Sequence, residues 1–174
     1  DCGILSTPLT DNNIVETPIF YETFVAYVSE KSNLYQKKIL STDDIGEEKL
    51  WLLNEGHCMR GQVLNICNYK HNYSLEGTFE YNTGSVETLK RMVDINSGIT
   101  ILPELSIMNY NEDELSHVRY FKSPEPVREI SVVTTQNFVK KQAVNTLINE
   151  VLHIVPEVLA LAIGCNLIII GLFA

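Results

Sequence analysis

Short apolar runs alternate along this chain with segments of helical periodicity, and this alternation constrains the fold more than any other feature of the sequence. One repeat of it reads GSVETLKRMVDINSG followed by GITILPELSI. In the first segment Ser85 is suited to cap a helix that places Leu89 and Val93 on one face. In the second segment an apolar strand ends at Pro103. Strands that alternate with helices over such distances predict an α/β fold with mostly parallel sheets.

The same two patterns predict the other elements. IVETPIFYETFVAYVSE indicates two short strands interrupted at Pro18. A last helix is predicted from about Val139 to Ile154, with the apolar residues Ala143, Leu147, Val151 and Ile154 along one face. Further strands are predicted in DCGIL, KLWLLNEG, TFEYN, HVRYF and EISVVTT.

Two changes of direction, near Tyr21 and near Glu125, predict that the chain enters a second lobe and later returns. The tail from Val158 to Ala174 is apolar apart from Asn166, and its length lies at the lower limit for spanning a bilayer. No Lys or Arg flanks it. We therefore predict a buried strand in NLIIIGLF and no membrane partner.

The formal net charge of −9 argues against a nucleic-acid surface on this chain, because binding phosphates requires Lys and Arg. The four cysteines are irregularly spaced and do not resemble the disulfide framework of a small secreted domain. We expect no secretory leader and a reducing, cytoplasmic setting.

Two of the cysteines, Cys58 and Cys67, stand nine positions apart in the segment GHCMRGQVLNIC. Apolar residues recur between them at helical spacing, so we predict a helix that begins near Gly56 or His57 and reaches Cys67. On one continuous helix the two cysteines lie roughly 13 Å apart along the axis. A disulfide requires Cα atoms within about 7 Å, so the two thiols cannot join unless the helix unwinds.

Two interpretations of this pair remain open from the residues alone. In one, both thiols are inert, small hydrophobic groups in a core. In the other, oxidised Cys58 seeks Cys67, and the loss of helix makes the pair a switch. The helix N-terminus, together with His57 and Arg60, favours a thiolate at Cys58. Cys67, in the apolar context LNIC, suits the role of the resolving thiol.

A metal site is not expected at these thiols. The C-x8-C spacing lacks the second closely spaced pair of ligands that zinc sites use. We expect neither a metal nor a cofactor in this chain.

The segment GHCMRGQVLNIC resembles the Gly-His-Cys-Leu-Arg-x-Gln run and the interval to the second cysteine in the regulatory domain of OxyR regulators. These are the hydrogen-peroxide sensors among the LysR-type transcription regulators. SVETLKRMVDINSGITILPELSI and SPEPVREISVV resemble further parts of that domain, and the likeness extends from Asp1 to about Val158.

The resemblance implies a role for four residues. Cys58 would be the thiol that attacks peroxide, and Cys67 would close the disulfide. His57 would stand beside the reactive thiol, and Arg128 would lower the pKa of that thiol and orient peroxide. Arg60 also matches the motif, either with a direct role or as a solvated charge.

The resemblance also implies a two-lobed fold like that of periplasmic binding proteins. Lobe I would contain residues 1–22 and 125–174, without its N-terminal half, and lobe II would contain residues 23–124. The implied partners are hydrogen peroxide, a second copy in a homodimer or tetramer, cellular thiol reductants and RNA polymerase. DNA would be bound only through a helix-turn-helix domain that this chain does not contain. Gly61 departs from the aspartate of the family.

Sensing is stoichiometric, so we expect a regulator and not an enzyme. Two alternatives stay open. A thiol peroxidase would turn over with a reductant, and a LysR-type domain for a small organic effector would leave the cysteines incidental.

Overall fold

The computed structural model describes residues 1–53, 58–66, 78–80, 84–155 and 168–169. The chain forms two compact units, one made of Asp1–Thr23 and Val127–Ala174 and the other of Phe24–Pro126. In chain order the described strands and helices are β1 (Cys2–Thr7), β2 (Ile14–Val28), β3 (Ile39–Leu40), β4 (Leu50–Leu52), α1 (Cys58–Ile66), β5 (Thr78–Glu80), α2 (Val86–Ile95), β6 (Ile99–Pro103), α3 (Glu112–Ser116), β7 (Val118–Phe121), β8 (Pro126–Thr135), α4 (Lys141–Ile154) and β9 (Ile168–Ile169).

The sheet of the first unit is built on β8. β1 pairs with β8 in antiparallel register from Cys2↔Thr134 to Thr7↔Glu129. On the other side of β8 the first part of β2 is also antiparallel. β9, the described part of the apolar tail, pairs with β8 as well. The two long ladders therefore place β8 between β1 and β2 in the sheet of this unit.

The second unit has the last part of β2 at the centre of its sheet. β6 and β7 pair with β2 on its two sides, both antiparallel. β4 joins β6, and β5 joins β4, both in parallel register. β3 pairs with β7, also parallel. Val25, Ala26 and Val28 of β2 are completely buried, as expected of a central strand.

A buried lysine connects two helices of the second unit. Lys90 of α2 pairs with Glu114 of α3 and lies 3.3 Å from the carboxylate of Glu87. Its ammonium group also lies 4.3 Å from the ring centroid of Tyr110. A nearly buried cation requires such partners, because removing an ammonium group from water is costly.

Strand direction differs from the prediction. The α/β class agrees with the observed elements, but the described sheets are mixed and not mostly parallel. β2 pairs antiparallel with β6, β7 and β8. For β8 the reason is that β2 runs from the first unit into the second, whereas β8 runs back. Parallel pairing is found for β3 with β7, and for β4 with β5 and β6.

The prediction of two short strands interrupted at Pro18 is wrong. The segment forms the single strand β2, and the register with β8 shifts between Pro18 and Phe20. Proline has no N–H to donate to a ladder, so a bulge forms there while the strand continues.

Most of the remaining elements confirm the prediction. Ser85 caps α2, accepting a hydrogen bond from the backbone N–H of Thr88. The predicted apolar face of the last helix is only partly right. Val144 is buried and Leu147 and Val151 are half-buried, whereas Ala143 and Ile154 are exposed. Among the described residues no helix is long and apolar enough to cross a bilayer.

Gly98 generates a prediction for stability. Its φ is +112°, and a Cβ there would lie 2.2 Å from the carbonyl oxygen of Lys49. The variant Gly98→Ala combines backbone strain with this clash, so we expect its free energy of unfolding to fall by about 1–3 kcal/mol or more. Denaturant titration measures the change.

Gly84→Ala is the matched control for this variant. Gly84 is exposed, and a Cβ there would meet nothing within 4 Å. Its unfolding free energy should stay within about 0.5 kcal/mol of the unmodified chain. Equal losses in the two variants would contradict the assignment of strain to Gly98.

Candidate functional site

Helix α1 carries the first of the predicted site residues. The helix predicted around the cysteines is confirmed over Cys58–Ile66, and Cys58 is its first residue. The backbone N–H groups of a helix N-terminus favour a negative charge, so this position suits a thiolate. His57 and Cys67 lie outside the described residues, and their predicted roles stay predictions.

Packing holds α1 in place. Met59, Val63 and Ile66 are 4%, 2% and 4% exposed, at the i, i+4 and i+7 spacing of one helix face. Burying three such side chains contributes about 1.5–3 kcal/mol each. A nine-residue helix that contains Gly61 and Asn65 has little stability of its own. Any event that unwinds α1 must therefore offset the lost burial.

Two polar side chains of α1 are at least partly covered. Gln62 is 3% exposed, and Arg60 is half-buried. Both take part in polar or electrostatic interactions. A fully solvated charge was one of the two interpretations of Arg60 from the sequence, and its partial burial does not agree with that interpretation.

Arg128 lies on β8 in direct register with Glu22 of β2. Its Nε donates to Oε2 of Glu22 over 2.8 Å, and its Nη2 lies 2.7 Å from the same oxygen. The side chain of Glu22 is 1% exposed and that of Arg128 is 18% exposed. A carboxylate this deeply buried requires a positive partner, which Arg128 supplies.

The resemblance pointed to Arg128, whose role at the thiol stays a prediction, and nothing in the sequence analysis pointed to Glu22. The two residues are 106 positions apart in the chain, and only the β2–β8 register brings them together. A signal was present, because Glu22 is an acidic residue next to the apolar run that forms the buried end of β2. Acidic residues at such positions are buried only when paired.

A second carboxylate, Glu129, gathers a set of hydroxyl groups on the opposite face of β8. Thr7 donates to Oε1 of Glu129 over 2.8 Å, and Tyr21 donates to Oε2 over 2.7 Å. The hydroxyls of Thr7 and Ser131 are 2.6 Å apart. The hydrogen bond to Glu129, followed by burial, raises the pKa of Tyr21. Sequence reasoning missed this network, which links all three long strands of the first unit.

The described residues contain a sizeable cavity and no cluster of metal-ligating side chains. In the part of the chain that the structure describes, no group of three His, Cys, Asp or Glu residues could hold a metal ion. Cys2 is an exposed free thiol that borders a cavity of about 610 Å³ together with Phe138 and Val144. Of the predicted site residues, Arg128 lies in the part of the chain whose side chains the structure describes, and it does not line this cavity.

Sequence comparison gives matches along most of the chain. The profile described as "LysR substrate binding domain" matches residues 1–154. A "Hydrogen peroxide-inducible genes activator" of Haemophilus influenzae is 36% identical over 138 residues, covering 76% of this chain and 43% of that protein. The "DNA-binding transcriptional dual regulator OxyR" of Escherichia coli is 31% identical over 134 residues, with the same shares covered. The chain thus spans less than half the length of these relatives.

Solved structures agree with the sequence matches. A mutant of OxyR from Porphyromonas gingivalis has a TM-score of 0.79 at 28% identity, covering 92% of this chain and 73% of that one. The reduced form of the same regulator has a TM-score of 0.76 at 29% identity, covering 90% and 70%. These likenesses confirm the resemblance and the periplasmic-binding-protein-like fold class.

The Glu22–Arg128 pair generates a prediction for stability. The variant Arg128→Met leaves the buried carboxylate of Glu22 without the guanidinium, so we expect the free energy of unfolding to fall by about 3 kcal/mol. The double variant Glu22→Met/Arg128→Met removes both charges and should lose less than half as much. Denaturant titration of the reduced protein measures both, and equal losses would contradict the importance of the pair.

Proposed function

The chain belongs to the LysR substrate-binding-domain family, and from this premise we propose that it is the redox-sensing regulatory domain of an OxyR-like, peroxide-responsive transcription regulator. One observation carries the proposal. The matched residues 1–154 contain GHCMRGQVLNIC, in a chain whose relatives are named hydrogen peroxide-inducible activators.

The proposed chemistry uses two thiols and one peroxide. The Cys58 thiolate attacks one oxygen of hydrogen peroxide, the O–O bond breaks, and hydroxide leaves and takes up a proton to become water. Cys58 is then a sulfenic acid. The Cys67 thiolate attacks this sulfur and expels its oxygen as a second water. The two cysteines lose two electrons in total, and peroxide is reduced to two waters.

Helix α1 couples this chemistry to a change of shape. Cys58 is the first residue of α1, and Cys67 follows its last residue, Ile66. A disulfide requires Cα atoms within about 7 Å, whereas nine helical steps span roughly 13 Å. The disulfide therefore forms only when α1 unwinds. His57 assists the reactive thiol, and Arg128 stabilises its thiolate.

The full regulator supplies the output. DNA is bound by a helix-turn-helix domain, the regulatory domains form a homodimer or tetramer, and RNA polymerase reads the altered complex. Cellular thiols return Cys58 and Cys67 to the reduced state in the cytoplasm. Each chain reacts once per reduction, so the domain acts as a sensor and not as an enzyme.

Peptide mapping after peroxide treatment tests the disulfide. Trypsin cleavage after Lys49, Arg60 and Lys70 places Cys58 in peptide 50–60 and Cys67 in peptide 61–70. We expect peroxide to link these two peptides. Cys58→Ser should give no intramolecular disulfide, because no sulfenic acid arises at residue 58. Cys67→Ser should accumulate sulfenic or overoxidised Cys58.

Other outcomes would separate the alternatives. A Cys67 that is still bonded within the Cys58→Ser chain, to Cys2 or Cys165, would contradict the assignment. Steady peroxide consumption with thioredoxin or glutathione would identify a thiol peroxidase. Binding of an organic metabolite that is unaffected by Cys58→Ser would identify an effector domain.

Gly61 generates a prediction for the redox equilibrium. It is a half-exposed residue inside α1, and alanine favours a helix over glycine by up to about 1 kcal/mol. Gly61→Ala stabilises the reduced, helical form, so oxidation becomes harder. We expect the midpoint potential of the Cys58–Cys67 pair to rise by about 20 mV, as measured in glutathione buffers.

Two further variants make this measurement decisive. Asn65→Ala, at another half-exposed position of α1, should shift the potential in the same direction. Gly84→Ala lies outside α1 and should leave it unchanged. A potential that is equal or lower in both α1 variants would mean that helix stability does not control oxidation.

A further inference from the structure

We draw no further inference here: the strongest candidate, the cavity of about 610 Å³ that Cys2, Phe138 and Lys140 border beside the N-terminus of helix α4 in the first compact unit, carries none, because nothing in the part of the chain that the structure describes shows what fills it.

Discussion

The antiparallel ladder between β2 and β8 is the interaction on which the rest of the described structure depends. It runs from Ile14↔Thr135 to Thr23↔Val127, and β2 then continues as the central strand of the second unit. The hydrogen bonds of the carboxylates of Glu22 and Glu129 also depend on this ladder. The ladder places Glu22 next to Arg128 and Tyr21 next to Glu129. The charge pattern of the first unit is therefore a consequence of strand register.

Helix α1 differs from this ladder, because side-chain packing and not a long backbone hydrogen-bond ladder stabilises it. It is short, it contains a glycine, and the burial of Met59, Val63 and Ile66 stabilises it more than its intrinsic helix propensity does. An element held by packing can be exchanged for another arrangement if a comparable stabilisation replaces the lost contacts. Under the proposed function, the covalent sulfur–sulfur bond is that replacement. The rigid ladder and the exchangeable helix would then serve separate tasks, holding the arginine and changing shape.

Local patterns in the sequence predicted local structure well. Alternation and capping located β4, α2, β6 and β7, and helical spacing located α1 with Cys58 at its start. The errors arose where distant residues decide. β2 is one strand because β8 supports it across Pro18. Glu22 could not be assigned to Arg128 from the sequence, since that contact exists only through pairing of residues 106 positions apart.

The bulge in β2 determines which residue of β8 lies opposite each later residue of the β2–β8 ladder. Before the bulge Pro18 faces Ser131, and after it Phe20 faces Ile130, so Ile19 is the additional residue. In an uninterrupted ladder the same chain would place Tyr21 opposite Arg128 and Glu22 opposite Val127. Every side chain beyond Ile19 would then have its partner changed by one position. One additional residue next to a proline thus decides whether a carboxylate or a tyrosine ring lies opposite the arginine.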